Sequence, residues 1–139
     1  MIRKVVDEDI DFLNLFLTNF DIDFTKHYNL SNYINNNIYN VLVYINGNNN
    51  IIGFILSTII YNESEILVLY VDTKFRNKGI ATELINYHIN HLKSKSILLE
   101  VSSKNRNAYN LYSKLGFKII NIRKNYYADS DAYVMKLEV

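Results

Sequence analysis

A chain of 139 residues, 49% of them hydrophobic, has the size and apolar content of one compact domain, and residues 1–139 read as a single domain. A net charge of +1 supplies no strong pull toward nucleic acid or a membrane surface, so neither is expected as a partner. The absence of cysteine excludes disulfides, a thiolate nucleophile and cysteine metal sites.

The start, Met1 to Asp9, turns acidic before any long apolar run, unlike a signal peptide, and the most apolar stretch, Ile51 to Ile60, is too short for a bilayer. A soluble cytoplasmic protein is the expectation. Ile2 to Val6 reads as a short strand. Asp7 or Asp9 is placed to cap a helix whose apolar positions Ile10, Leu13, Phe16 and Leu17 recur at helical spacing. A less regular helical stretch runs from Thr25 to Asn36, with Ser31 as an internal break. Val41 to Ile45 is a strand, Asn46-Gly47 a hairpin signal and Ile51 to Ile60 the returning strand. The runs Asn35 to Asn37 and Asn48 to Asn50 are short and flanked by periodic apolar segments. Biased coding composition explains them better than low-complexity function.

After a turn at Asn62-Glu63, Glu65 to Val71 is a near-continuous apolar run, as expected of a central strand covered on both faces. Ile80, Leu84, Ile85, Ile89 and Leu92 define a helix that starts near Gly79, and Ile97 to Val101 is another buried strand. Ala108, Leu111, Tyr112 and Leu115 mark a helix stopped by Gly116. Phe117 to Arg123 and Ala132 to Leu137 are two last strands around a polar loop. The order β-α-α-β-β-β-α-β-α-β-β places a parallel pair with a helical crossover in the middle and antiparallel hairpins outside. The fold class is α/β (α+β), a mixed sheet of about seven strands with helices on both faces.

Between the apolar strand and the following helix lies Arg76-Asn77-Lys78-Gly79-Ile80-Ala81. A glycine turn that opens a helix presents unpaired backbone N–H groups to an anion, and two cations share the turn. A phosphate or pyrophosphate is the guest this pattern suits; the bland reading is a helix-opening turn with solvated cations. Here the chain resembles the GNAT superfamily of acyl-CoA-dependent N-acetyltransferases, whose signature is Gln or Arg, two variable residues, Gly, one variable residue, then Gly or Ala. Further on, Leu99 to Phe117 (LEVSSKNRNAYNLYSKLGF), Arg123 to Tyr127 (RKNYY), Asp131-Ala132 and Val134 to Leu137 are similar to the RimI-like branch, which acetylates protein N-termini, notably on ribosomal proteins.

The resemblance implies a GNAT fold with splayed parallel central strands, Glu65–Val71 and Ile97–Val101, gripping acetyl-CoA as cosubstrate. Backbone groups of Leu69, Tyr70 and Val71 would meet its arm and acetyl group, and Arg76, Asn77, Lys78, Gly79, Ile80, Ala81 and Thr82 its pyrophosphate. Asn105 matches a residue that contacts the arm in relatives; a helix cap is its other reading. Tyr112 matches the tyrosine that protonates the departing thiolate, with a core aromatic as the alternative. Glu100 interrupts an apolar strand, where Glu is disfavoured, and matches the proposed general base acting through water; the alternative is a strand-end carboxylate reaching solvent or an Arg. Tyr126 and Tyr127 match loop tyrosines that line the acceptor site, and equally suit an edge-packing aromatic pair.

Magnitudes bear on the acceptor. An α-amine (pKa ~7.7–8.0) loses its proton near pH 7.5 for under about 1 kcal/mol, whereas a Lys amine (~10.4) costs about 4 kcal/mol. A weak base therefore suits an N-terminal α-amine attacking directly in a ternary complex. Two departures from the RimI-like pattern bear on the acceptor as well: its Leu-Glu-Val-Arg block ends here in Ser102, and its Phe-Pro-Trp-Ser element has no equivalent in Asp21 to Asn29. His88 and His91 have metal-like spacing without a third ligand, so no metal is expected. Lys93-Ser94-Lys95 reads as a solvated helix end. The competing readings are a small-molecule amine (a polyamine or aminoglycoside-like) or aminoacyl-tRNA as acceptor, and a non-catalytic acyl-CoA-binding module.

Overall fold

The computed structural model describes residues 1–20 and 36–139, the side chains of 16–20 excepted. The second helix expected over Thr25 to Asn36 falls outside this description in all but its last residue, as does the stretch Asp21 to Asn29. Among the described residues seven strands form one sheet in the order β1-β2-β3-β4-β5-β7-β6. They are β1 (Ile2–Lys4), β2 (Tyr39–Ile45), β3 (Ile51–Ile60), β4 (Glu63–Val71), β5 (Ser96–Ser102), β6 (Lys118–Arg123) and β7 (Ala132–Glu138). Only β4 and β5 run parallel; the other neighbours are antiparallel. Among the described residues the helices are α1 (Ile10–Phe20), α2 (Ile80–Leu92) and α3 (Arg106–Lys114). Among the described residues no helix is long and apolar enough to cross a membrane.

Strand alternation divides the core between the two faces. Val41, Val43, Phe54 and Leu56 pack with Leu13 of α1. Leu42, Ile55, Ile66, Ile97 and Leu99 pack on the other face with Leu84 and Ile85 of α2 and Tyr112 of α3. Phe54 is fully buried, and cutting it to Ala would cost about 3–5 kcal/mol. His88 of α2 is also fully buried, with Ser64 Oγ 2.8 Å from Nε2 and Ser57 Oγ 3.4 Å from Nδ1. Burial pushes this imidazole down to about 4, so it is neutral at physiological pH. His91, its expected neighbour, is exposed and stacks on Tyr87 at 3.7 Å between ring centroids.

Local chemistry explains the turns. The Asn46 side chain accepts N–H bonds from Asn48 and Asn50, both 3.0 Å, and Asn49 takes the left-handed φ of +63°. Asparagines build this hairpin, because their short amides replace backbone acceptors and they tolerate the left-handed region. Asp9 is not the N-cap expected for α1. It sits in a 3-10 turn (Asp7–Asp9) continuous with the helix; Val6 holds the cap position. The Asp9 carboxylate reaches back to the Val6 N–H (2.9 Å) and takes both Arg3 Nη atoms at 2.7 and 3.0 Å.

The feature that positions the site is a bulge in β4. Leu56 faces Val68 while Ser57 faces Ile66, so Leu67 is an extra residue. Leu67 and Val68 both pack toward α1, after which Leu69 and Val71 return to the α2 face. A bulge bends a strand and strengthens its twist. Parallel pairing with β5 joins Glu63–Ile66 to Ser96–Leu99 and extends no further. Beyond the bulge the two strands diverge, and Leu67 to Tyr70 are half-buried rather than covered on both faces as expected.

Candidate functional site

The divergence opens a cleft of about 570 Å³. One wall is β4: Leu69, Tyr70 and Val71. Asp72 donates its N–H to Ile52 O (2.8 Å), which fixes the alternation of the β3–β4 ladder. Asp72 and Tyr70 thus bond toward β3, while Leu69 and Val71 turn their N–H and C=O groups to the gap. The Val71 carbonyl is taken by Arg76 Nε at 2.9 Å, and the Arg76 guanidinium also lies over the Tyr70 ring at 5.3 Å. Arg76 is therefore anchored at the cleft wall rather than loosely solvated.

The mouth is the turn into α2. Gly79 is the N-cap, with φ +82°. A Cβ there would touch nothing within 4 Å, so the dihedral rather than crowding requires glycine. Asn77 also adopts a left-handed φ, +61°. The N–H groups of Ile80, Ala81 and Thr82 form the first turn, where a helix has no acceptors of its own and its dipole favours an anion. All three residues line the cleft, as do Arg76, Asn77 and Gly79. Lys78 does not; its ammonium lies over the Phe75 ring at 5.5 Å.

The opposite wall is α3, through Asn105, Asn107, Ala108, Leu111 and Tyr112. Asn105 is its N-cap and accepts from the Ala108 N–H at 3.2 Å, so the capping reading holds for a residue that also faces the cleft. Tyr112 is 9% exposed and meets Phe117 edge to face at 5.8 Å. Burial, and then the neighbouring Tyr127, push its hydroxyl up to about 12. Cleft and helix turn together fit an elongated ligand with an anionic end: the β4 edge supplies amides for an arm, and a helix start supplies N–H donors.

Glu100 does not line this cleft. Leu99 and Val101 belong to the α2/α3 core, so Glu100 faces the other side of β5. Its side chain is 21% exposed and Oε1 lies 3.3 Å from Arg123 Nε at the end of β6. This ion pair is close to the alternative reading of a strand carboxylate reaching an Arg. Glu65 shares the neighbourhood: burial and then the Glu100 charge hold its carboxyl above the usual range, while Arg123 opposes them. Tyr126 and Tyr127 stand edge to face at 5.1 Å in the β6–β7 loop, outside the cleft lining, and Arg123 lies over Tyr126 at 5.4 Å. Phe75, Asn107, Glu65 and Arg123 escaped sequence reasoning. Arg123 alone carried a signal, as the first residue of the RKNYY block.

The model of the acetyltransferase (GNAT) family matches residues 10–117. The chain belongs to that family. A ribosomal protein bS18-alanine N-acetyltransferase of Haemophilus ducreyi is 39% identical over 85 residues, 59% of this chain and 59% of that protein. Across the first curated relatives the match spans 59–64% of their length. The crystal structure of the ribosomal-protein-S18-alanine N-acetyltransferase from Escherichia coli superposes with a TM-score of 0.83 at 21% identity, covering 100% of this chain and 93% of that one. Arabidopsis thaliana NAA60 in complex with acetyl-CoA superposes at 0.80 with 19% identity, covering 100% and 98%. The shared fold includes the seven-stranded mixed sheet expected from sequence.

Proposed function

We propose that the protein is a cytoplasmic N-acetyltransferase that moves the acetyl group of acetyl-CoA to the α-amine of a protein N-terminus, by direct attack in a ternary complex. The observation that carries the reading is the loss of β4–β5 pairing past Ile66 and Leu99, beyond which the β4 edge, the α2 start and α3 line one cleft. Relatives named ribosomal protein bS18-alanine N-acetyltransferase and N-alpha-acetyltransferase support the choice of acceptor.

In this mechanism the turn from Arg76 to Thr82 holds the pyrophosphate, and the gap-facing groups of Leu69 and Val71 align the arm and the thioester carbonyl. Glu100 draws the proton from the amine through water, and Arg123 keeps Glu100 oriented. The amine nitrogen bonds to the carbonyl carbon, the carbon–sulfur bond breaks, and sulfur takes up a proton. Tyr112 supplies it. A hydroxyl at about 12 stays protonated throughout the working range. Full transfer to a thiolate of ordinary pKa ~8.5 is uphill by about 5 kcal/mol. Tyr112 therefore acts first as a hydrogen-bond donor to the leaving sulfur, and transfer completes as burial raises the sulfur's own proton affinity. Tyr126 and Tyr127 form the acceptor wall.

The test is thiol release from acetyl-CoA with a panel of peptides bearing free N-termini, beside spermidine and an N-acetylated peptide carrying one Lys. Release with free N-termini alone supports the reading; release with spermidine or Lys alone replaces the acceptor class.

A further inference from the structure

The β6–β7 loop is fastened to β5 and to the segment that follows it, and the fastening runs residue by residue. Ser102 Oγ meets Ser130 Oγ at 2.5 Å, the Ser103 N–H donates to Asp131 O at 2.8 Å, and Lys104 Nζ lies 3.7 Å from the Asp129 carboxylate. Three consecutive residues after Val101 thus grip three consecutive residues before Ala132. The Lys104 pair is exposed and contributes little; the hydroxyl pair is half-buried.

The loop is organised from the gripped end. Ser130 O accepts the Tyr127 N–H at 3.0 Å, and the Asp131 carboxylate accepts the Asn125 N–H at 2.8 Å. At its other stem, Arg123 pairs with Glu100 and lies over Tyr126. Glu100 and Ser102 are two apart on one strand and face the same side. One strand face therefore holds both stems of the loop, Glu100 the entering one and Ser102 the leaving one. The segment bearing Ser102 runs on to Asn105, which caps α3 and faces the cleft.

We propose that Ser102, through Ser130, is a positioning residue that sets the acceptor wall: it fixes the two-tyrosine loop at one distance from β5 and so determines how tightly an acceptor N-terminus is held. This rests on the acetyltransferase reading above. The hydroxyl contact admits only a small side chain at 102, which gives the Ser in place of the Arg of the RimI-like block a physical role: it brings the loop close.

The experiment uses the full chain, acetyl-CoA and a hexapeptide with N-terminal alanine. Ser102→Ala is expected to raise the peptide KM about three- to tenfold, the range of one neutral hydrogen bond, with kcat and the acetyl-CoA KM changed less than twofold. Ser130→Ala should match it, the double variant should be no worse than either single one, and Ser102→Thr should restore the wild-type KM. Amide exchange at Tyr127 should quicken in Ser102→Ala, a readout independent of turnover. An unchanged peptide KM, an equal rise in both KM values, additive single variants or unaltered exchange at Tyr127 overturns the proposal. Absence of turnover by the wild-type protein defeats the acetyltransferase reading instead; the clasp between Ser102 and the loop then stands or falls on the exchange result.

Discussion

The two sides of the site are built by different means. On the α2 and α3 side, backbone geometry does the work: a bulge ends strand pairing, a left-handed glycine starts a helix, and the helix leaves N–H groups facing a cleft. On the other face of β5, side chains from distant segments make the surface, with Arg123 on Glu100, Ser130 on Ser102 and Tyr126 under Arg123. A backbone device tolerates changes in most side chains and suits a constant ligand. A side-chain device changes with each substitution and suits an acceptor that differs among relatives.

Variants can break that contrast in order of effect. Tyr112→Phe removes the hydroxyl without emptying the core and is expected to lower kcat about 10²–10⁴-fold, with acetyl-CoA affinity within twofold of wild type. An unchanged kcat would reassign the acid. Next is acid stability beneath α2. His88 has a folded-state value of about 4 against 6.5, so the unfolded chain binds a proton that the native protein refuses. Its contribution is complete above 6.5 and is lost as pH falls toward 4, by about 3 kcal/mol at ~1.36 kcal/mol per unit. Urea unfolding of the wild type and of His88→Gln at several pH values measures this; the same pH slope in both excludes His88 as its source.

Gly79→Ala forces a Cβ into the left-handed region at a cost of about 1–2 kcal/mol. The expected result is a rise in the acetyl-CoA KM of about tenfold with the peptide KM little changed, which kinetics with either substrate varied will separate. Smallest is Glu65→Gln. Because burial raises this carboxyl, its ionised form costs stability above the raised value, and the cost disappears as pH falls through it. The substitution should therefore stabilise the protein at neutral pH by less than about 1 kcal/mol and leave acetyl-CoA affinity untouched; a destabilised variant would mean that Glu65 anchors Arg123.

The same contrast decides what was legible in the sequence. The strands, α2 and α3, and the turn around Gly79 follow from apolar spacing and one glycine, local signals that survive in a linear reading. Among the residues expected at the cofactor, Lys78 alone lies off the cleft, because its ammonium turns to Phe75. The bulge at Leu67 was not legible: it arises from how β3 and β4 pair, and Leu67 differs in no local way from its neighbours. Glu100 stood out as a charge in an apolar strand, yet its partner Arg123 lies 23 residues on and no periodicity links them. The hairpin was legible from Asn46-Gly47; that Asn48 and Asn50, in a run assigned to composition, close the turn on the Asn46 side-chain amide was not.

Calorimetry with acetyl-CoA and with S-acetylpantetheine, which lacks the pyrophosphate, reads the anion site at the start of α2. The expected result is saturable one-site binding of acetyl-CoA to the folded protein and at least about tenfold weaker binding of the truncated thioester, because the α2 start has lost its anion. Equal affinity for the two, or no saturable heat with either, would contradict it.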